Sequence, residues 1–169
     1  MMNAEVSRNV IPFEHSYSAA FLSMLSSYYN EDFRFYLNEE RITGIFQDLL
    51  YDTERSGLRI HLLTEAGIPA GFCILLPYTA KESNEDLSGW FLLRDLFIRP
   101  ERRRNLLGTF LFHSVAEQYR AEGARGICLT ASPSALPFWN RLGFESAPDR
   151  FETGSRYLLS YQLTPDTSL

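Results

Sequence analysis

The 169-residue sequence lacks several features that would assign it to a specialised class of protein. It has only two cysteines, Cys73 and Cys128, and both lie in apolar, strand-like runs where a free thiol usually behaves as a small buried hydrophobe. We therefore expect neither a disulfide nor a metal site. No apolar stretch approaches the length that spans a bilayer, and the first residues lack the basic and apolar regions of a secretory signal. We expect a cytoplasmic protein without membrane contacts.

The sequence also lacks an excess of positive charge. Lysine and arginine total 16 against 21 acidic residues, which gives a net charge of -5 and a sequence pI near 5.2. This balance argues against a nucleic-acid partner and favours cationic ligands. With 45% hydrophobic residues, the chain can bury about two-thirds of its unfolded surface, so one domain over residues 1–169 is expected.

Against this acidic background, three arginines stand together at 102–104, between an apolar run that stops at Pro100 and a helical pattern that resumes at Gly108. The free N–H groups at a helix N-terminus attract phosphate, and the arginines add charge at the same place. A solvated loop explains three arginines equally well. The pattern alone leaves an anion site and a surface loop both open.

Periodicity and turn residues predict a mixed α/β layout without repeats or linkers. A first strand over 6–13 is followed by helices over 16–29 and 38–50, then by a hairpin with strands 58–65 and 70–78 around a tight turn at 66–69. Residues 79–88 are polar and predict a loop. The remaining elements are a strand over 89–98, a helix over 106–122 closed by Gly123, a strand over 125–131, a helix over 134–142 ending at Gly143, and a strand over 156–164. The helix over 106–122 should make its two flanking strands parallel, with ligands at their carboxyl ends.

Two segments of this layout resemble the GNAT superfamily of acetyl-CoA-dependent N-acyltransferases. Residues 98–103, Ile-Arg-Pro-Glu-Arg-Arg, are similar to its V-x-P-x-x-R, and residues 103–108 follow its R/Q-x-x-G-x-G/A diphosphate loop except that Leu106 replaces the first glycine. A leucine permits the same approach of backbone to diphosphate where its φ is negative and its side chain turns inward. Residues 131–144 resemble the family's N-x-x-A-x-x-F-Y-x-x-x-G-F. There Ser132 replaces an asparagine that touches pantetheine, and Trp139 replaces a tyrosine that protonates the departing thiolate.

Within the superfamily, the segment Leu93-Arg94-Asp95-Leu96-Phe97-Ile98 is similar to the L-E-D-L/F-F-V of the diamine acetyltransferase-like branch. Asp95 is retained, whereas Arg94 replaces the glutamate that relays the proton in that branch. An arginine cannot act as a base. The resemblance covers residues 58–164 by motif and residues 5–57 by the order of elements.

The resemblance implies a GNAT fold, acetyl-CoA as cofactor, and strands four and five splayed so that the fourth pairs with pantetheine. Asp95 and Trp139 are the catalytic candidates, although an indole cannot act as an acid near neutral pH and Trp139 could simply fill the core. Ser134 or Tyr157 could stand in as the thiolate's proton donor. The expected cofactor contacts are the strand residues Leu96, Phe97 and Ile98, the loop residues Arg103, Arg104, Asn105, Leu106, Leu107, Gly108 and Thr109, and Ser132 with Phe138.

The missing base is either Asp95 directly or a carboxylate acting through water, such as Glu31, Asp32 or Glu39. Pairing of Asp95 with Arg94 or Arg34 would instead make it structural. The histidines His61 and His113 are further alternatives.

The acceptor pocket is expected beneath the first two helices, where aromatic residues cluster between 28 and 36 and acids flank them. A purely structural cluster is the alternative. The candidate pocket residues are Tyr28, Glu31, Asp32, Tyr36 and Tyr78, with Tyr29, Phe33 and Phe35 in the cluster and Glu82, Glu85 and Asp86 in the bordering loop.

The sequence thus predicts transfer of an acetyl group to a primary amine of a small molecule. A non-catalytic acyl-CoA sensor and a protein or peptide N-acetyltransferase remain open alternatives. Family members are often dimers, so a homodimer is one expectation.

Overall fold

In a computed structural model, residues 6–78, 88–146 and 157–163 are described. Within these ranges the chain forms seven strands and four α-helices, which confirms the mixed α/β class. The strands are β1 (Arg8–Pro12), β2 (Arg59–Glu65), β3 (Ile68–Pro77), β4 (Trp90–Ile98), β5 (Gly126–Ala131), β6 (Glu145–Ser146) and β7 (Tyr157–Gln162). The helices are α1 (Ser18–Ser27), α2 (Glu39–Arg55), α3 (Leu107–Ala121) and α4 (Leu136–Leu142).

The strands form one mixed sheet in the order β1-β2-β3-β4-β5-β7-β6. The pair β4 and β5 is parallel, as the helix between them predicts, while β1 with β2 and β5 with β7 are antiparallel. The ladder between β4 and β5 covers only Trp90 to Leu92 on one strand and Gly126 to Cys128 on the other. The carboxyl half of β4 therefore runs on without a described ladder to β5.

Contacts group the chain into two compact units. Unit 1 comprises Met1–Ile74 with Asp95–Phe112, and unit 2 comprises Leu75–Arg94 with His113–Leu169. The core of unit 1 is rich in aromatic rings: Phe21 packs edge-on against Phe46 and Phe72, with ring centroids 5.8 Å and 5.2 Å away. In unit 2, Phe91 meets Tyr119 at 4.6 Å with perpendicular rings. The expectation of one domain over 1–169 stays a prediction.

Helix α2 shows why its start was easier to predict than its end. Asn38 caps it by accepting a hydrogen bond of 2.9 Å from the amide of Arg41, and Ile42, Phe46 and Leu49 form its buried stripe. The predicted end at Leu50 is too early. The helix continues to Arg55, whose guanidinium lies 4.6 Å from the Tyr51 ring one turn back. Apolar periodicity does not detect a last turn that is stabilised on its exposed face.

The hairpin turn is shorter than predicted. Only Ala66 and Gly67 form it, with φ of 50° and 79°, the signs that a two-residue type I′ turn requires. Ile68 and Pro69 already belong to β3, so the predicted turn at 66–69 is wrong by two residues. The two-residue strand β6 had no sequence signal, and β7 ends at Gln162, before the predicted end at 164. Among the described residues, no helix is long and apolar enough to cross a bilayer.

Candidate active site

Asp95 lies in the carboxyl half of β4 and is only 9% exposed, whereas its neighbour Arg94 is exposed. The strand alternation explains this difference, because successive side chains point to opposite faces. Oδ1 of Asp95 accepts a 2.7 Å hydrogen bond from the hydroxyl of Tyr28, which is itself buried. A predicted catalytic residue and a predicted pocket residue, 67 positions apart, therefore meet.

Tyr28 begins a π-helical turn over Tyr28–Asp32 at the end of α1. Turns of this kind occur frequently at functional sites. Its ring is packed edge-on by Tyr29, Phe33, Phe72 and Phe97, with centroids between 4.8 Å and 5.8 Å away. This packing fixes the position of the hydroxyl that bonds to Asp95.

The predicted aromatic cluster divides into a buried and an exposed part. Tyr28 is buried, whereas Phe33, Phe35 and Tyr36 are 43%, 57% and 80% exposed. Phe33 and Phe35 stack with centroids 5.6 Å apart. Tyr28 is thus core and Tyr29 is half-buried, whereas Phe33, Phe35 and Tyr36 present apolar surface to solvent, so burial leaves the pocket and the purely structural interpretation both open.

A contact that the sequence did not reveal holds the segment that carries these rings. The side-chain oxygen of Asn30 accepts from the amide of Leu37 at 2.6 Å, and its Nδ2 donates to the Leu37 carbonyl at 2.9 Å. Arg34 and Tyr36 between them adopt left-handed φ of 55° and 52°. Asparagine commonly bonds nearby backbone in turns, but nothing in the spacing indicates this eight-residue closure.

The arginine-rich turn leads into α3 through an unusual backbone. Arg104 and Leu106 have φ of 67° and 58°, while Asn105 between them is not left-handed. Leu106 is 76% exposed. The condition stated above for a leucine, a negative φ and an inward side chain, is not met: the backbone keeps the left-handed form that glycine favours, and the side chain is exposed to solvent. Alternation of this kind lines up main-chain N–H groups as an anion-binding concavity.

The main-chain N–H groups of this turn are open. Phe110 donates to the Leu106 carbonyl at 2.9 Å, which places Leu106 as the residue before α3. Among the described residues, the amides of 104–109 donate no hydrogen bond to another protein group. Six successive main-chain donors, three in the turn before α3 and three in its first turn, are thus left without a protein acceptor.

The Arg103 side chain is already engaged. Its Nε donates to the Ile98 carbonyl at 2.9 Å, and one terminal nitrogen contacts Asp32 Oδ2 at 2.7 Å. The guanidinium carbon lies 5.5 Å from the Phe97 ring centroid. A predicted cofactor residue and a predicted acceptor residue, Arg103 and Asp32, therefore form an ion pair.

The other carboxylate of this region, Glu65, is buried and accepts from Nε of Arg8 at 3.1 Å and from Arg102. The Arg102 hydrogen bond is the main reason why the pKa of Glu65 lies below its ordinary value, although burial acts in the opposite direction. Arg102 is thereby tied to the end of β2. No pattern in the sequence predicts this link, which joins residues 37 positions apart.

Three residues of β4 are predicted to contact pantetheine through their main chain: Leu96, Phe97 and Ile98. Their main-chain groups do not all point the same way. Arg99 donates to the Ala70 carbonyl at 2.9 Å, and a Cβ on Gly71 would lie 2.5 Å from the Phe97 carbonyl oxygen, so Phe97 faces β3. Because main-chain groups alternate along a strand, those of Leu96 and Ile98 point away from β3. On that side the Ile98 carbonyl already accepts the hydrogen bond from Nε of Arg103, and its second lone pair can take another donor, so the pantetheine contacts stay a prediction.

The remaining predicted cofactor and acceptor residues lie in unit 2. Ser132 and Phe138 are half-buried, and Trp139 is 9% exposed and packs against Phe138 and Phe144 with centroids 4.8 Å and 5.3 Å away. Tyr78 is half-buried, and its amide donates to the Trp90 carbonyl at 2.9 Å. Their roles stay predictions.

The alternative acids and bases are spread over the chain. Glu31 and Glu39 are exposed, His61 is buried in β2, and His113 is exposed on α3. The Ser134 hydroxyl lies 3.1 Å from that of Ser132, and Tyr157 pairs with Ala131 in the ladder of β5 and β7. The loop acids Glu82, Glu85 and Asp86 lie outside the described residues. Within the described ranges no three histidine, cysteine or acidic side chains group as a metal site would require.

Comparison with known proteins identifies what this geometry resembles. A family model described as an acetyltransferase (GNAT) domain matches residues 31–164. Among curated proteins, none matches the sequence.

Solved structures share the fold at low sequence identity. PaiA N-acetyltransferase from Thermoplasma acidophilum, in complex with coenzyme A, is 14% identical with a TM-score of 0.69, covering 92% of this chain and 99% of its own. A GNAT family acetyltransferase from Brucella melitensis, in complex with acetyl-CoA, is 18% identical with a TM-score of 0.68, covering 95% and 90%. The ribosomal-protein-S18-alanine N-acetyltransferase from Escherichia coli is 14% identical with a TM-score of 0.66, covering 96% and 97%.

Proposed function

Because the chain belongs to the GNAT acetyltransferase domain family, whose model matches residues 31–164, we propose that it transfers an acetyl group from acetyl-CoA to a primary amine of a small molecule. The family assignment makes it an acetyl-CoA-dependent acetyltransferase. The acceptor and the roles of individual residues are our proposal.

The observation that carries the proposal is the row of open amides from 104 to 109. A diphosphate needs several convergent donors, and the left-handed Arg104 and Leu106 present backbone N–H groups without a glycine at the usual place. We assign the diphosphate of the cofactor to this turn, with Arg103 beside it. The main-chain groups of Leu96 and Ile98 are assigned to the pantetheine arm.

The bound cofactor supplies an activated acyl group as a thioester. The chain must then hold the amine close to that carbonyl and accept its proton. We assign proton removal to Asp95, because its carboxylate is held in place by the rigidly packed Tyr28 hydroxyl. Leu93–Ile98 supports assignment to the diamine acetyltransferase-like branch, with Asp95 taking over from the glutamate that Arg94 replaces.

A positively charged acceptor fits the acids of the segment 28–36. Glu31 is exposed and Asp32 partly so, and the exposed rings of Phe35 and Tyr36 offer faces to an ammonium group. A homodimer and a cytoplasmic location remain expectations from the sequence.

Two measurements, made one after the other, test the proposal. Isothermal titration with acetyl-CoA measures cofactor binding, and thiol release detected with Ellman's reagent then measures turnover over a panel of polyamines, amino acids and peptides. Both protein thiols are buried, and burial raises the pKa of Cys73 above its ordinary range and that of Cys128 to about 12, so the folded protein should add little background.

Thiol release with small amines supports the proposal. Release only with peptides favours the protein acetyltransferase alternative, and tight binding without any release favours the acyl-CoA sensor. Absence of acetyl-CoA binding overturns both the proposal and the sensor.

A further inference from the structure

The ion pair between Arg103 and Asp32 joins two segments to which different ligands are assigned. Arg103 stands at the start of the arginine-rich turn to which we assign the diphosphate. Asp32 ends the π-helical turn that carries the acceptor candidates. Their side chains are 42% and 29% exposed, so solvent and ligands can reach the pair. Asp32 therefore neutralises the positive charge that a diphosphate would need on Arg103. In the same way, Arg103 neutralises the negative charge that a cationic acceptor would need on Asp32.

The pair is weak enough to be exchanged. Partly exposed ion pairs contribute about 0.2–1 kcal/mol, because water and salt screen them. A diphosphate carries more charge than one carboxylate and would also engage the six open amides that follow Arg103. The arginine can keep its Nε bond to the Ile98 carbonyl while its terminal nitrogens turn from carboxylate to phosphate.

We propose that Asp32 is a specificity-determining carboxylate for the charged end of the acceptor, masked by Arg103 in the free protein and unmasked when a diphosphate takes Arg103. The inference rests on the proposed function. Cofactor binding then favours acceptor binding by up to about fivefold, the worth of such a pair, because the exchange leaves Asp32 free to pair with an ammonium group. Cofactor and acceptor thus bind with positive coupling through one side chain.

A double-mutant cycle on CoA affinity tests the masking. Asp32→Asn should tighten CoA binding by about 1.5- to 5-fold, the range that corresponds to the strength of such a pair. Arg103→Gln should weaken it, and Asp32→Asn should have no effect in the Arg103→Gln background. Glu101→Gln is the matched control, because it removes an exposed negative charge near the same turn without touching Arg103. The effect of Glu101→Gln on CoA affinity measures how much the loss of any nearby negative charge tightens binding.

The acceptor role of Asp32 is tested with the amine that releases thiol fastest from the wild-type enzyme. Asp32→Asn should raise KM for that amine by about tenfold or more while kcat changes little, since the carboxylate binds the charged end and not the reacting nitrogen. Thermal melts of each variant establish that it is folded.

Asp32→Asn overturns the inference if it leaves CoA affinity unchanged or weaker, if it tightens binding no more than Glu101→Gln does, or if its effect persists without Arg103. An unchanged KM removes the acceptor role. Failure of the wild-type protein to bind CoA would instead refute the proposed function, so the two failures are distinguishable.

Discussion

The hydroxyl of Tyr28 donates a 2.7 Å hydrogen bond to Oδ1 of Asp95, joining the π-helical turn after α1 to the carboxyl half of β4. The bond orients a carboxylate that is only 9% exposed. The bond stabilises the fold whether or not Asp95 is catalytic. It contributes to catalysis only if Asp95 accepts the proton of the amine.

Asp95→Asn separates these two roles. An asparagine side-chain oxygen can accept the same bond from Tyr28 but cannot remove a proton. We expect kcat to fall by about 10²–10⁴-fold, the usual contribution of a general base, while the Kd for CoA is unchanged. Thiol-release kinetics and titration calorimetry measure the two quantities.

Tyr28→Phe is the complementary control, because it keeps the carboxylate and removes its donor. It should lower the free energy of unfolding by about 1.5–3 kcal/mol, as expected when a hydrogen bond to a charged group is lost in a buried place. If Asp95→Asn retains full kcat, Asp95 is a structural residue and the base lies elsewhere.

Leu106→Gly tests whether the left-handed turn is strained. A φ of 58° costs a leucine about 1–2 kcal/mol, and a glycine loses about 0.5–1 kcal/mol more chain entropy on folding, so the net gain should be about 0–1.5 kcal/mol. No packing is lost, because Leu106 is 76% exposed. The melting temperature should rise by up to about 6 °C.

The neighbouring Leu107→Gly is its control. Leu107 is 2% exposed, so removal of its side chain should destabilise the protein by about 2–5 kcal/mol. Equal losses for both variants would contradict the assignment of a strained, outward-facing Leu106.

Gly71→Ala tests the close approach of β3 to β4. A Cβ there would lie 2.5 Å from the Phe97 carbonyl oxygen and 2.7 Å from Cδ1 of Ile98, so the backbone of β4 must move. We expect a loss of about 1–3 kcal/mol in urea unfolding and weaker CoA binding, since Ile98 is a proposed pantetheine contact and Phe97 adjoins it. In contrast, Gly44→Ala on α2 meets nothing within 4 Å and should stabilise the protein by about 0.5–1 kcal/mol. Similar melting temperatures for the two variants would argue against the crowding.

These sites show which features the sequence could predict. Apolar periodicity and end signals located α2, through the cap at Asn38, and α4, through the left-handed Gly143. The order of elements gave the parallel pair of β4 and β5. All of these depend on neighbours within a few residues, or on a handedness rule that holds for nearly every such crossover.

Contacts between distant residues could not be read in the same way. Arg103 and Asp32 were assigned to different ligands, yet they pair with each other across 71 positions. The residue type of Leu106 favours a negative φ, but the backbone of the turn imposes a φ of 58°. Both results depend on how the chain folds back on itself, which periodicity does not encode.

The buried carboxylate Glu65 should make stability depend on pH. It is 6% exposed and accepts hydrogen bonds from Arg102 and Arg8, and the Arg102 bond above all lowers its pKa below the ordinary value. A lowered pKa in the folded state means that the unfolded chain binds the proton more readily. The contribution is therefore fully present above the unfolded pKa of about 4.3 and is lost as the pH falls through the folded value.

Glu65→Gln should reduce the free energy of unfolding by about 1–3 kcal/mol at pH 7, because a neutral amide cannot replace the charged acceptor of two arginines. The difference from wild type should shrink steadily as the pH falls below about 4.3, because the unfolded wild-type chain then takes up a proton that the folded carboxylate still resists. Glu117→Gln is the matched control: Glu117 also pairs with an arginine, Arg120, but its side chain is 70% exposed, so its loss should cost no more than about 1 kcal/mol. Urea unfolding from pH 7 to pH 3 measures all three proteins. A Glu65→Gln deficit that is as large at pH 3 as at pH 7 would mean that the side chain stabilises the fold through packing and not through its charge.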